Sequence, residues 1–227
     1  AYDRLRPTYP LDAVRWLVPP GAQQAADVGA GTGKLSLLLA QLGLAVVAVD
    51  PSADMLAQIP AGVGISTRLG SGEAIGLSSA GVDLVTFGQA WHWVNPHRGP
   101  GEVARILRPG GRVGMVWNVL DAETPWVGLF VAAMHAVDER AVEAIHHYEA
   151  PVLGPAFGPV ERETFGFTVP MTPEAVADLP TTRSYWLSAT PDSPSSADAA
   201  DLPVAPTDDS DAAGTTAIEE SGEPDAA

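Results

Sequence analysis

The sequence has no cysteine. Disulfides, thiolate nucleophiles and cysteine-bound zinc are thereby excluded at once. Lys34 is the only lysine, and eleven scattered arginines face 28 acidic residues, for a net charge of −16. A nucleic-acid surface needs a basic face to neutralise phosphates, so neither DNA nor RNA is an expected partner. Anionic membrane surfaces are disfavoured for the same reason. No apolar run approaches the ~20 residues of a membrane-spanning helix. A basic segment leading into an apolar one, the mark of a secretory signal, is missing as well, and the expected compartment is the cytoplasm. There is no H-E-x-x-H or comparable ligand set and no G-x-S-x-G elbow, so no metal site and no serine nucleophile are expected.

Basic residues also stop after Arg183. Beyond Thr190 the chain carries ten acidic residues, with Ala, Pro, Ser and Thr between them and no aromatic. Such a composition buries too little apolar surface to offset the entropy of ordering it. Residues 189–227 therefore read as an acidic disordered tail, and residues 1–188 as one folded domain.

Within that domain, short apolar runs alternate with helical patterns. Residues 11–18 read as a helix behind Pro10, 25–28 as a strand, 32–42 as a helix and 45–49 as a strand apolar on both faces. Ser52 is placed to cap a helix reaching residue 59. Residues 64–68 and 82–87 read as strands, and 101–107 as a helix. Pro109-Gly110-Gly111 reads as a turn into a strand over 112–117. A long helix over 126–147, a strand over 160–169 and a short helix over 173–179 follow. Continuously apolar strands separated by helices predict an α/β fold, a doubly wound and mainly parallel Rossmann-like sheet flanked by helices. Ligands of such sheets lie beyond the carboxyl ends of the strands, near the switch point.

The first strand ends in Asp27-Val28-Gly29-Ala30-Gly31-Thr32-Gly33, and a helix begins at once. Alternate glycines let the backbone turn tightly and come close to a ligand. A helix N-terminus adds N–H donors and a positive partial charge. A dinucleotide fingerprint, G-x-G-x-x-G, fails because Lys34 or Ser36 stands where its last glycine belongs. A P-loop fails because Val28 and Leu35 stand where glycine and Ser/Thr belong. The pattern that remains is an acid at the strand end followed by G-x-G-x-G. Asp50 ends the second strand about 20 residues on, where a carboxylate can accept both hydrogen bonds of a ribose diol.

This acid-x-G-x-G-x-G segment resembles motif I of the class I S-adenosylmethionine-dependent methyltransferases. Gly72-Glu73-Ala74-Ile75 with Val82-Asp83-Leu84-Val85 resembles the family's adenine-side loop and fourth strand. Arg105-Ile106-Leu107-Arg108-Pro109-Gly110-Gly111 is similar to its turn before strand five. The opening Tyr2-Asp3-Arg4-Leu5-Arg6-Pro7-Thr8-Tyr9-Pro10 resembles a bacterial small-molecule subgroup, the type 11-like methyltransferases. The resemblance covers about residues 1–188. It implies S-adenosylmethionine as cofactor and methyl transfer to an O, N or C atom of a small molecule. Residue by residue, it implies that Asp27 and the backbone of Gly29, Ala30, Gly31 and Gly33 face the methionine portion, and that Asp50 holds the ribose. Pro51 and Met55 would line the adenine, Gly72 and Glu73 would approach its edge, and Gln89 and Trp91 would border the methyl group. Arg6 or Tyr2 would hold the cofactor carboxylate. The acceptor pocket would come from residues 2–9 and about 117–148, with Trp117, Trp126, Phe130 and Tyr148 pointing to a small, partly apolar acceptor.

His92 sits between Trp91 and Trp93 after the fourth strand. Trp faces favour a cation by ~0.5–2 kcal/mol. An imidazole there can take a proton from an acceptor, or it can be a structural donor beside two core indoles. The family's sheet normally closes with an antiparallel final strand, and no β-rich run stands at that place. Its absence leaves a sheet edge unpaired and supports an alternative, a non-catalytic methyltransferase-like protein that binds cofactor or a partner without turnover.

Overall fold

The computed structural model describes residues 7–137, 151–179 and 212–221. The elements are α1 (Leu11–Leu17), β1 (Gln24–Val28), α2 (Lys34–Gln41), β2 (Ala45–Asp50), α3 (Ala53–Leu56), β3 (Ile65–Leu69), β4 (Val82–Gly88), a 3-10 turn (Trp91–Trp93), α4 (Gly99–Ile106), β5 (Leu107–Leu120), α5 (Pro125–Val137), β6 (Val160–Val169), α6 (Pro173–Asp178) and β7 (Ala212–Ser221). Seven strands form one sheet in the order β3-β2-β1-β4-β5-β7-β6. The β1–β2, β2–β3, β1–β4 and β4–β5 pairs are all parallel. The doubly wound, mainly parallel architecture expected from the alternating pattern is thus the one observed. β1 and β4 are buried along nearly their whole length, as strands covered on both faces must be.

The chain divides into two compact units. One comprises, among the described residues, 8–117, 151–165 and 216–221. Its core joins Ala13, Val14 and Leu17 of α1 and Leu35 and Leu39 of α2 to Ala25, Val46, Leu84 and Val116 of the sheet. A smaller group, Ala48, Leu56 and Ile59, lies beside Ala30. The other comprises, among the described residues, 7, 118–137, 166–179 and 212–215. There Phe130 and Met134 of α5 pack with Val176 of α6 and with Leu120, Trp126 and Met171.

Most boundaries follow from local chemistry. Ser52 caps α3 through Met55 N–H at 3.3 Å, but the α-helix stops at Leu56 rather than residue 59. Thr172 caps α6 through Ala175 N–H at 3.2 Å. Asp83 joins the starts of β1 and β4, accepting the N–H groups of Gln23 and Gln24 at 2.9 Å each and Arg108 at 2.5 Å. Two expectations change. The turn at 109–111 lies inside β5 rather than before it: Val82 pairs with Leu107 and Leu84 already with Arg112, so the Pro-Gly-Gly excursion is absorbed as a bulge. The final strand expected to be missing is β7, which lies between β5 and β6. Residues 212–221 are therefore not part of a structureless tail. Pairing within a sheet outweighs the weak strand signal of an acidic, alanine-rich segment. The rest of the expected tail, and the expected helix beyond residue 137, lie outside the described residues.

Candidate functional site

The sheet order reverses between β1 and β4, so the connections leaving these strands diverge and open a crevice at their carboxyl ends. The connection after β1 is the glycine loop. Gly29, Gly31 and Gly33 have φ of +71°, +55° and +83°, the left-handed region that side chains resist. They differ in surroundings. A Cβ at Gly33 would lie 2.8 Å from Ile59 Cγ1, and one at Gly29 would strike Ala90. A Cβ at Gly31 would meet nothing within 4 Å. The loop thus packs down at both ends and presents its middle to open space.

β2 supplies the front of this loop. Val49 C=O accepts the N–H groups of Gly29 and Ala30 at 2.8 and 3.1 Å. Asp50 Oδ2 accepts Gly31 N–H at 2.9 Å, and its Oδ1 accepts Ser52 N–H at 2.8 Å. The carboxylate is fixed by the backbone on either side. Each of its oxygens keeps a further lone pair. Pro51 is exposed and Met55 half-buried just beyond it.

Asp27 behaves differently from the expectation placed on it. It is 1% exposed, and its oxygens accept Ser36 Oγ of α2 at 2.6 Å and Thr86 Oγ1 of β4 at 3.0 Å. Burial pushes its carboxyl up to about 6, against the pull of those two hydroxyls. Both carboxylate oxygens are thus engaged by buried hydroxyls of α2 and β4. The missed partners, Ser36 and Thr86, are both 0% exposed. Hydroxyls at positions of otherwise apolar helix and strand faces were the available signal, because a buried hydroxyl requires a partner.

The connection after β4 forms the opposite side. Gln89 has φ +56°, a strained conformation for a non-glycine residue, and its N–H donates to Val116 C=O at 2.8 Å. Ala90 follows and packs on Gly29, bringing Gln89 and Trp91 next to the glycine loop. Trp91 stands edge-on to Phe87 with ring centres 4.9 Å apart. Trp93 is 70% exposed and is not a core residue. His92, half-buried, lies against it at 4.9 Å. Gly72 is buried, and Glu73 accepts Asn95 N–H at 2.6 Å and Ser71 Oγ at 2.8 Å. The Asn95 N–H bond, helped by Ser71, holds Glu73 below the usual carboxylate range against the opposing effect of burial. Arg6 and Tyr2 lie outside the described residues, as does Tyr148. Trp117 and Phe130 are each 2% exposed within the cores of their own units, so neither presents an acceptor surface. No group of three or more metal-ligating side chains occurs among the described residues, and none of the described helices is long and apolar enough to cross a membrane.

The model of a methyltransferase domain matches residues 26–115. An uncharacterized methyltransferase of Mycobacterium tuberculosis is 42% identical over 193 residues, covering 83% of this chain and 76% of that protein. The chain belongs to the class I S-adenosylmethionine-dependent methyltransferases. An uncharacterized methyltransferase of Schizosaccharomyces pombe is 33% identical over 132 residues, 56% of this chain and 53% of that one. Among solved structures, a protein of Anaeromyxobacter dehalogenans assigned as a type II methyltransferase superposes with a TM-score of 0.60 at 23% identity. It covers 96% of this chain and 97% of its own, a likeness of fold. The glycine loop, Asp50 and the 3-10 turn of the methyltransferase all fall inside the matched domain.

Proposed function

We propose that this methyltransferase carries a methyl group from S-adenosylmethionine to an O, N or C atom of a small molecule, with the cofactor lying across the carboxyl ends of β1, β2 and β4. The observation that carries this reading is the Asp50 carboxylate, held by Gly31 N–H and Ser52 N–H beside a loop whose central glycine faces open space. Those residues fit the group. Asp50 has lone pairs left for a ribose diol, and the room in front of Gly31 suits a chain running along the loop. Gly29, Ala30, Gly31 and Gly33 offer backbone to the methionine portion. Pro51 and Met55 supply apolar surface for the adenine, and Gly72 allows close approach at its edge. Arg6 is the proposed partner of the cofactor carboxylate. When bound, the cofactor supplies an electrophilic methyl on a sulfonium, so the protein needs no nucleophile of its own.

The chain's task is then positioning. The acceptor atom must stand ~3–3.5 Å from the methyl carbon with water excluded. Gln89 and Trp91 border that point, and the Trp91 face favours positive charge nearby. His92 accepts the proton of an acceptor hydroxyl, amine or acidic carbon. The test is methyl transfer to a panel of small acceptors by wild type and by His92→Ala. We expect measurable transfer, reduced about 100-fold in the variant for acceptors that must lose a proton. Unchanged turnover removes His92 from the mechanism. A final strand, β7, lies between β5 and β6, which favours this reading over the non-catalytic alternative based on that strand's absence.

A further inference from the structure

Glu73 stands between two segments that the functional reading assigns to opposite sides of the site. On the cofactor side, Ser71 and Ala74 close a turn by reciprocal backbone bonds of 3.1 Å. Within it, Ser71 Oγ holds Glu73 Oε2 at 2.8 Å. The other oxygen, Oε1, leaves the turn and accepts Asn95 N–H at 2.6 Å. Asn95 follows the Trp91–Trp93 turn that carries His92. Its own side chain accepts His97 N–H at 2.9 Å, and its carbonyl accepts Gly99 N–H at 2.8 Å, where α4 begins.

Neighbouring contacts draw the same two segments together. A Cβ on Gly72 would come within 2.6 Å of Val94 Cγ2, so the Val94 side chain packs directly on the bare backbone of Gly72. Three residues beyond Gly72, Ile75 N–H donates to Glu102 of α4 at 2.9 Å. Arg105 holds that carboxylate at 2.7 and 2.8 Å and reaches Leu77 C=O at 2.8 Å. Both oxygens of Glu73 therefore serve the chain itself.

The geometry points to Glu73 as a positioning residue rather than an adenine contact: its carboxylate fastens the cofactor-side turn 71–74 to the turn bearing Trp91 and His92, so that the two sides keep one spacing. This rests on the functional reading above. Spacing matters because misplacement by about 1 Å can cost a methyl-transfer geometry on the order of 100-fold.

Three variants separate the tether from a direct charge contact. Glu73→Ala removes it. Glu73→Asp keeps the charge but is one methylene short of Asn95. Glu73→Gln loses the charge, yet its carbonyl can accept Asn95 N–H and its amide can donate to Ser71 Oγ. Each is compared with wild type by hydrogen exchange at the Asn95 amide and by calorimetry with S-adenosylhomocysteine, the demethylated product. We expect Asn95 exchange to accelerate, and the dissociation constant to rise, about tenfold in the Ala and Asp variants, with the acceptor KM rising alongside. The Gln variant should stay within about threefold of wild type. Equal loss in the Gln and Ala variants would make the charge, not the tether, the active feature and overturn the inference. So would binding by Glu73→Ala and Glu73→Asp at wild-type strength. No binding by the folded wild type would instead overturn the functional reading, and this inference with it.

Discussion

Asp27 and Asp50 end neighbouring parallel strands, and in the sequence they read as two members of one motif. The fold gives them different work. Asp27 is 1% exposed and bonded to two hydroxyls, one from α2 and one from β4. Asp50 is 8% exposed, bonded to two peptide N–H groups, and stands at the front of the glycine loop. The first fixes the elements beneath the loop and the second holds the loop's middle from the side a ligand would approach. A strand-end acid can thus be tied into the scaffold beneath a loop by buried hydroxyls, while its neighbour is tied to the loop itself.

The largest test of this contrast is the pH dependence of stability. The Asp27 carboxyl is raised from 3.8 to about 6 in the folded state. Between those values the native protein holds a proton that the unfolded chain has released, so stability contributed by Asp27 falls as pH rises through the window. The difference amounts to about 3 kcal/mol. Urea unfolding across that window should show the decline in wild type and in Asp50→Asn, and a flatter profile in Asp27→Asn. An identical slope in wild type and Asp27→Asn would erase the distinction between the two aspartates.

A smaller effect sharpens the same contrast within the loop. Gly33→Ala meets both a φ of +83° and Ile59, and should lower stability by about 2–3 kcal/mol. Gly31→Ala meets only the conformational cost at φ +55°, about 1 kcal/mol. Its methyl group would stand in the space proposed for the cofactor, so its loss of cofactor affinity should exceed its loss of stability. The two measurements are chemical unfolding and calorimetry. Reversed ranks would mean that Gly31, not Gly33, is the packed member.

Much of this was legible in the residues. Apolar strand runs bounded by glycine pointed to the parallel sheet, and the spacing of Gly29, Gly31, Gly33 and Asp50 placed these residues at the carboxyl ends of β1 and β2. The inward turn of Asp27 was not legible from the motif alone, because it depends on which face of β1 packs under α2. Ser36 beside Leu35 and Thr86 within an apolar strand hinted at it. The Glu73–Asn95 bond joins residues 22 positions apart and follows from the turns, not from any local pattern. β7 escaped because its residues favour a strand only weakly, and its pairing is supplied by β5 and β6.

The central claim is that the Asp50 side of this crevice binds the cofactor. Isothermal titration of S-adenosylhomocysteine into wild type and Asp50→Asn tests it most directly. The account predicts saturable binding by wild type and binding at least about tenfold weaker in the variant, the size expected for hydrogen bonds to a charged acceptor. Equal affinity in the two folded proteins, or no binding by wild type, would contradict it.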